Sequence, residues 1–294
     1  DILQKHCKIK RVILPELGKG EEKLLKLLYA LDQEDAPDFD LSNDRFEMLV
    51  EKPASFFGEG ETQIIKISPI SENTPPSDRD FPENNDDFSD ENDWSKGVDL
   101  SKIRGDRDCK SGTVFYHSYW EYWCFIPFNY AQDERKKQFE KALEKHGLSL
   151  GSIATPDGIN EHKEKLLKAY GSIDGDLNVN SLLLYSGPKH RRMGVNRFVS
   201  RGQCFFDAYC RRYYRWCAGC LYTGDVNLGL RGLLSDLNRR LYLFFPYLGT
   251  IQVPHHGSKH NFDKSILRAW DVHCAIFSFG SNNTYGHPSD FVVE

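Results

Sequence analysis

The 294-residue sequence predicts an α/β fold, and three observations carry that expectation. The C-terminal half alternates strand-like and helix-like segments, the pattern of helices packed on a sheet. Three of its strand segments end in a short polar cluster beside a glycine, where the loops of an α/β sheet converge on a functional face. The composition, 39% hydrophobic and 13% aromatic, suits one large domain or two ordinary ones with sizeable polar loops. No run of about 18 apolar residues is present, which argues against a membrane span. The opening "DILQKHCKIKRVILP" lacks the apolar core of a signal peptide. A chain this long does not need its eight cysteines as a disulfide framework, so reduced thiols in a cytoplasmic protein are expected.

The elements follow in order. Residues 8 to 15, "KIKRVILP", read as a strand ended by Pro15. A helix is expected from Glu21 to Leu31, with Leu24, Leu25, Leu27 and Leu28 as its apolar face. "FEMLVEKPASFFGEGETQIIKISP" reads as two strands joined around Gly58 to Gly60. From Ser71 to Ser95, nine acidic residues stand against Arg79 alone, with Pro75, Pro76 and Pro82 among them. Such a composition disfavours a packed core, so residues 71–110 are expected to form an acidic, flexible insertion, either a solvated loop or a shield for a basic groove. "GTVFYHSYWEYWCFIPF" has the aromatic and β-branched content of buried strands. Two helices follow, "DERKKQFEKALEKHG" with Gly147 as its C-terminal cap and "NEHKEKLLKAYG" ending at Gly171. "NVNSLLLYSG" and "CLYTGD" are strands separated by an insertion. "LGLRGLLSDLNRRL" reads as a helix with Leu230, Leu233, Leu234 and Leu237 inward. The strands "GTIQVP" and "VHCAIFSFG" then flank the helix "FDKSILRAW". There is no internal repeat, dinucleotide fingerprint or phosphate-binding P-loop.

The polar clusters are Asp225 in "YTGDVN", His255 and His256 in "VPHHGS", and His287 in "NTYGHPS". Carboxylate and imidazole are ligand types that zinc and manganese accept, and Gly224, Gly257 and Gly286 allow close backbone approach. Each cluster alone is a weak signal. Their joint occurrence after successive strands points to a metal site.

Together, "NVNSLLLYSG", "CLYTGD", "VPHHGS" and "FSFGSNNTYGHPS" resemble the metallo-β-lactamase fold superfamily, and within it the nuclease-like domain of ComEC-type DNA-uptake proteins. The motifs that carry the resemblance are Asn180-Ser181, Thr223-Gly224-Asp225, His255-His256-Gly257-Ser258 and Tyr285-Gly286-His287-Pro288. It is firm over residues 178–290 outside the insertion and rests on pattern alone over 1–70. It implies an αββα sandwich across a single domain, residues 1–294, with one or two metal ions, Zn2+ or Mn2+. Asp225 then resembles the metal-bridging aspartate and His287 the late histidine ligand. One of His255 and His256 becomes a further ligand or a contact to the scissile phosphate, and their side chains should diverge if strand geometry continues through the pair. Ser258, Lys259 and Asn283 are candidates to hydrogen-bond phosphoryl oxygens. The superfamily's early His-x-His-x-Asp-His stretch is missing from this sequence. The favoured expectation is a chain that begins downstream of that stretch. The alternatives are a natural member that lacks it, and ligands supplied by a partner chain.

The insertion, residues 187–217, carries eight Lys or Arg residues between Lys189 and Arg215 against one acid, Asp207. Phe205, Phe206, Tyr209, Tyr213, Tyr214 and Trp216 are interleaved with them. Arg211, Arg212 and Arg215 are candidates to contact phosphates, with the aromatics stacking on unpaired bases. The competing reading is a hairpin extension whose aromatics pack on the domain or a partner. Cys204, Cys210, Cys217 and Cys220 have the spacing C-x5-C-x6-C-x2-C, whose last pair is zinc-like and whose first is unusual for a compact site. The functional expectation is a metal-dependent hydrolase, a phosphodiesterase or nuclease acting on nucleic acid. The alternatives are a binding or regulatory module on the same fold and a hydrolase of small phosphoesters.

Overall fold

A computed structural model describes residues 7–17, 44–57, 62–71, 97–131, 133–153, 156–172, 180–189, 218–230, 232–270, 272–280 and 286–293. In chain order the elements are β1 (Arg11–Pro15), helices α1 (Asp44–Glu51) and α2 (Pro53–Phe57), β2 (Gln63–Ser71), β3 (Val98–Asp99), β4 (Arg107–Lys110), β5 (Phe115–His117) and β6 (Trp120–Ala131). They continue with α3 (Asp133–Lys145), α4 (Pro156–Gly171), β7 (Asn180–Pro188), β8 (Gly219–Tyr222), α5 (Leu233–Leu241), β9 (Leu248–Gln252), α6 (Ser265–Ala269), β10 (Cys274–Ile276) and α7 (Asp290–Val293). Among the described residues the architecture is α/β, with ten strands in a mixed sheet. The helix expected at Glu21 to Leu31, residues 72–96 of the acidic stretch and residues 190–217 of the basic insertion lie outside the described residues. Residues 97–110, at the end of the expected acidic insertion, contain β3, a 3-10 turn at Leu100–Lys102 and β4.

The chain divides into two compact units. The first comprises Asp1–Ser68, Arg104–Cys109 and Ala131–Asn180. Here β1 and β2 pair in parallel from Arg11↔Gln63 to Pro15↔Ile67, with Ile64, Ile65 and Ile67 buried. Asp106 Oδ1 accepts the Ile64 N–H (2.9 Å), and Ser68 Oγ donates to Glu16 Oε2 (2.7 Å). In α3, Phe139 and Leu143 stand four apart and are both buried; Leu166 and Ala169 do the same at a three-residue spacing in α4. The end of α3 is a Schellman turn. Gly147 adopts φ 71, its N–H donates to the Glu144 carbonyl, and Leu148 N–H reaches back to the Leu143 carbonyl. One expectation is overturned here: "FEMLVEKPASFF" forms α1 and α2 rather than a strand. Phe46, Leu49 and Val50 fit helical spacing as well as they fit a short apolar strand, and Pro53 pre-sets the first turn of α2.

The second unit comprises Pro69–Ile103, Lys110–Tyr130 and Ser181–Glu294. Strands β7 and β8 are antiparallel, while β8–β9 and β9–β10 are parallel. Alternation along each strand sends one set of side chains into a single core. Ile126, Phe128 and Tyr130 of β6, Leu183 and Tyr185 of β7, Leu221 of β8 and Ile251 of β9 are at most 1% exposed. Helix α5 adds Leu233, Leu237 and Leu241 at helical spacing, and α6 adds Ile266 with the adjoining Trp270. The helix expected from Leu228 begins only at Leu233, because Gly232 adopts φ 85 and residues 228–230 form a turn and bend. Trp270 stacks on Phe245 (4.8 Å between centroids) and donates to Asn238 Oδ1 (2.7 Å). Three polar side chains that enter this core each make a hydrogen bond through one atom. Tyr130 Oη donates to the buried Asp236 Oδ2 (2.6 Å), and Arg240 Nε donates to the Gly112 carbonyl (2.6 Å). Burial, then Arg239, holds the Arg240 guanidinium down to about 10, so it remains charged at neutral pH.

Candidate functional site

The carboxyl ends of β8 and β9 are tied together before their loops diverge. Thr223, fully buried, donates from Oγ1 to the Gln252 carbonyl at the end of β9 (2.7 Å). Gly224 then turns at φ 55, and its carbonyl accepts the His255 N–H (3.0 Å). Asn261, 3% exposed, donates from Nδ2 to the Asp225 carbonyl (3.0 Å), and its own carbonyl accepts the Leu228 N–H. The Asp225 loop is therefore held by its backbone, which leaves its carboxylate available for chemistry at 45% exposure.

The histidine pair occupies a left-handed turn over Pro254–Gly257, not a continued strand. His255 (φ 47, ψ 51) and His256 (φ 56, ψ 14) both adopt a conformation that costs a non-glycine residue about 1–2 kcal/mol. Gly257 follows at φ 94, and a Cβ there would lie 2.6 Å from Pro288 Cβ. Only glycine lets the His287–Pro288 segment close against this turn, where Ser289 N–H donates to the Gly257 carbonyl (3.0 Å).

The turn separates the two imidazoles. His255 faces Asp225, with Nδ1 3.6 Å from Oδ1, and its ring meets that of His287 edge to face at 5.5 Å between centroids. His256 turns the other way and donates from Nδ1 to the Ser278 carbonyl. Strand geometry, on which the expected divergence depended, does not continue through the pair; a left-handed turn separates the side chains instead.

Asp225, His255 and His287 thus arrive from three successive loops of one unit. The Asp225–His255 separation is beyond hydrogen-bonding range. It lies near the ligand-to-ligand edge of about 3.4 Å that bonds of 2.0–2.2 Å define around a tetrahedral zinc ion. The donor pair fits a shared cation in this respect. Among the described residues no group of three or more His, Cys, Asp or Glu side chains is disposed to hold a metal.

The remaining candidates are placed as follows. Ser258 is buried, and its Oγ accepts the His260 N–H (3.3 Å), while Lys259 is exposed. Cys220 lies half-buried on β8. Burial raises its thiol pKa, with a hydrogen bond from Tyr222 opposing and Cys274 adding to the rise. Asn283, Arg211, Arg212, Arg215, Cys204, Cys210 and Cys217 lie outside the described residues.

The described residues on either side of the insertion that carries these arginines and cysteines lie at the opposite end of the β7–β8 pair from Asp225. Its flanking residues, Lys189 and Ala218, adjoin the end of β7 and the start of β8, while Asp225 follows the end of β8. The nine residues of β7 span about 26 Å. Thr223, Asn261 and Ser278, which position the cluster through backbone contacts, are not singled out by the sequence, although Thr223 and Ser278 lie within the quoted stretches. No helix among the described residues is long and apolar enough to cross a membrane. No family model, curated protein or solved structure matches the chain.

Proposed function

We propose that this chain is a metal-dependent hydrolase of phosphodiesters, with nucleic acid as its substrate, built on the αββα plan of the metallo-β-lactamase fold. The observation that carries the reading is the approach of His255 Nδ1 to Asp225 Oδ1 at 3.6 Å, beside the His287 ring and across three post-strand loops. Asp225 and His255 would hold a Zn2+ or Mn2+ ion, with His287 as the next ligand. Such an ion, when bound, lowers the pKa of water toward about 7. The chain's own contribution is positional: Thr223 and Asn261 fix the Asp225 loop, and the Gly257 turn directs His255 inward. Lys259, exposed three residues beyond the pair, supplies positive charge for a substrate phosphate. Buried free thiols at Cys109 and Cys124 accord with a reducing, cytoplasmic compartment.

The test combines metal content with hydrolysis. Purified protein should take up zinc or manganese stoichiometrically and cleave a chromogenic phosphodiester and DNA or RNA. Asp225→Ala and His255→Ala should each lose metal and activity together. Cleavage that survives both substitutions would remove the site from consideration. A chain that binds nucleic acid without taking up metal would instead be a binding module, the reading favoured by the limited ligand set among the described residues.

A further inference from the structure

The stretches 272–280 and 286–293, which stand before and at His287, are both tied to the turn at Pro254–Gly257. The β9–β10 ladder ends at Ile276↔Gln252, with the Val253 N–H donating to the Ile276 carbonyl (2.9 Å). Two residues further on, past the end of that ladder, the Ser278 carbonyl accepts from the His256 side chain through Nδ1. Beyond His287, the Ser289 N–H donates to the Gly257 carbonyl (3.0 Å). Gly257 is wedged between the two stretches: a Cβ on it would lie 2.6 Å from Pro288 Cβ and 3.0 Å from Phe277 Cδ1. Two consecutive residues of one turn therefore grip the chain on either side of His287.

The grip at His256 is made in spite of its backbone. Its φ of 56 is a left-handed value that glycine adopts freely, asparagine tolerates and other side chains resist. A residue so placed persists where its surroundings over-determine it. For the backbone alone glycine would serve better, as it does next door at Gly257 (φ 94). What histidine adds is an N–H set on the Ser278 carbonyl. A carbonyl oxygen only accepts, so Nδ1 carries the proton and is not at the same time a metal ligand. The neighbour of Asp225 is instead His255, whose Nδ1 lies 3.6 Å from Asp225 Oδ1 and whose ring meets that of His287 at 5.5 Å between centroids. His256 thus reaches His287 through the chain rather than through its ring.

We propose that His256 is a positioning residue, a latch that ties the chain beyond β10 to the Pro254–Gly257 turn and so keeps the His287 ring against His255. The proposal rests on the metal-site reading for its consequence in metal affinity. The latch itself is a property of the metal-free chain.

The test compares wild type with His256→Ala, His256→Asn and His256→Gly, in EDTA and in a zinc titration. Asparagine carries an amide N–H near the place of Nδ1 and tolerates the left-handed backbone, while glycine keeps the backbone and removes the donor. In EDTA, NMR of protein with isotope-labelled histidine should show an NOE between the His255 and His287 rings. Wild type and His256→Asn should keep it, and His256→Ala and His256→Gly should lose it. Zinc should bind His256→Ala and His256→Gly about tenfold more weakly than wild type, and His256→Asn within about twofold of it. His256→Gly should nevertheless unfold at a higher urea concentration than His256→Ala, because glycine relieves the left-handed strain. A role in folding alone would make zinc affinity follow stability instead, and that result would overturn the latch. Retention of the NOE and of zinc affinity in His256→Ala would overturn it and leave the metal site standing. So would His256→Asn behaving like His256→Ala, since a donor at that place would then not suffice. The expected NOE pattern in a protein that takes up no zinc would uphold the latch and remove the metal site.

Discussion

The two ends of the sheet in the second unit are organised by different means. At the Asp225 end, backbone conformation does the positioning: Gly224, His255, His256, Gly257 and Gly286 all adopt positive φ, and a close glycine–proline contact seals the turn. At the Tyr119 end the hairpin pairing shifts register between Tyr116 and His117, and side-chain acceptors, Asp99 and His117, brace the turn. The first end stores strain to aim polar groups at one another. The second spends no strain and presents apolar groups to solvent. Strain of about 1–3 kcal/mol per residue persists only where surrounding structure over-determines it.

The difference predicts unequal responses to substitution. Gly257→Ala should have the largest effect, because the added Cβ meets Pro288 and φ 94 is unfavourable for alanine. A loss of ~2–4 kcal/mol is expected in urea denaturation, with hydrolytic activity falling further. A loss under 1 kcal/mol would show that the turn is not over-determined. At the other end, Asp99→Ala removes a charged acceptor from three donors and should cost ~1–2 kcal/mol without affecting metal uptake. Thr223→Val removes a buried hydroxyl that donates to Gln252 and should cost about 1 kcal/mol. Its hydrolytic rate should fall more than its stability, because the Asp225 loop loses an anchor; equal activity would place the anchor elsewhere.

Acid should separate the two ends as well. Burial pushes the Asp99 carboxyl upward, but the Ser101 and Ser118 hydrogen bonds and Lys102 prevail and hold it below its ordinary 3.8. A carboxyl depressed in the folded state contributes stability above 3.8 and loses it as pH falls through the lower folded value. Below that window Trp120 emission should shift as the turn loosens, and Asp99→Asn should abolish this acid dependence. The smallest effect belongs to Tyr119→Ala, within about 0.5 kcal/mol of wild type, since an exposed ring adds little to the core.

Much of the fold was legible because hydrophobic periodicity is a local property. β1, β6, β7, β8 and β9, helices α3 and α4 and the Gly147 cap follow from alternation, helical spacing and one glycine. The segment that became α1 and α2 was not legible, because short apolar runs satisfy both periods. Of the candidate residues, His255 lies 3.6 Å from Asp225 and its ring meets that of His287, while Asn261 and Ser278 act through contacts that no local pattern records.

The sequence by itself determined the alternation of strand and helix, the polar clusters that end three strands, and the glycines that let their loops turn sharply. Only the tertiary structure decided that His255 and not His256 faces Asp225, because the direction of each ring depends on a left-handed turn held by Gly224 and Pro288. Only the tertiary structure decided that Tyr119 and Trp120 stand in solvent while their strand neighbours are buried. A ring's exposure depends on what packs above it, and that is set by partners distant in the chain.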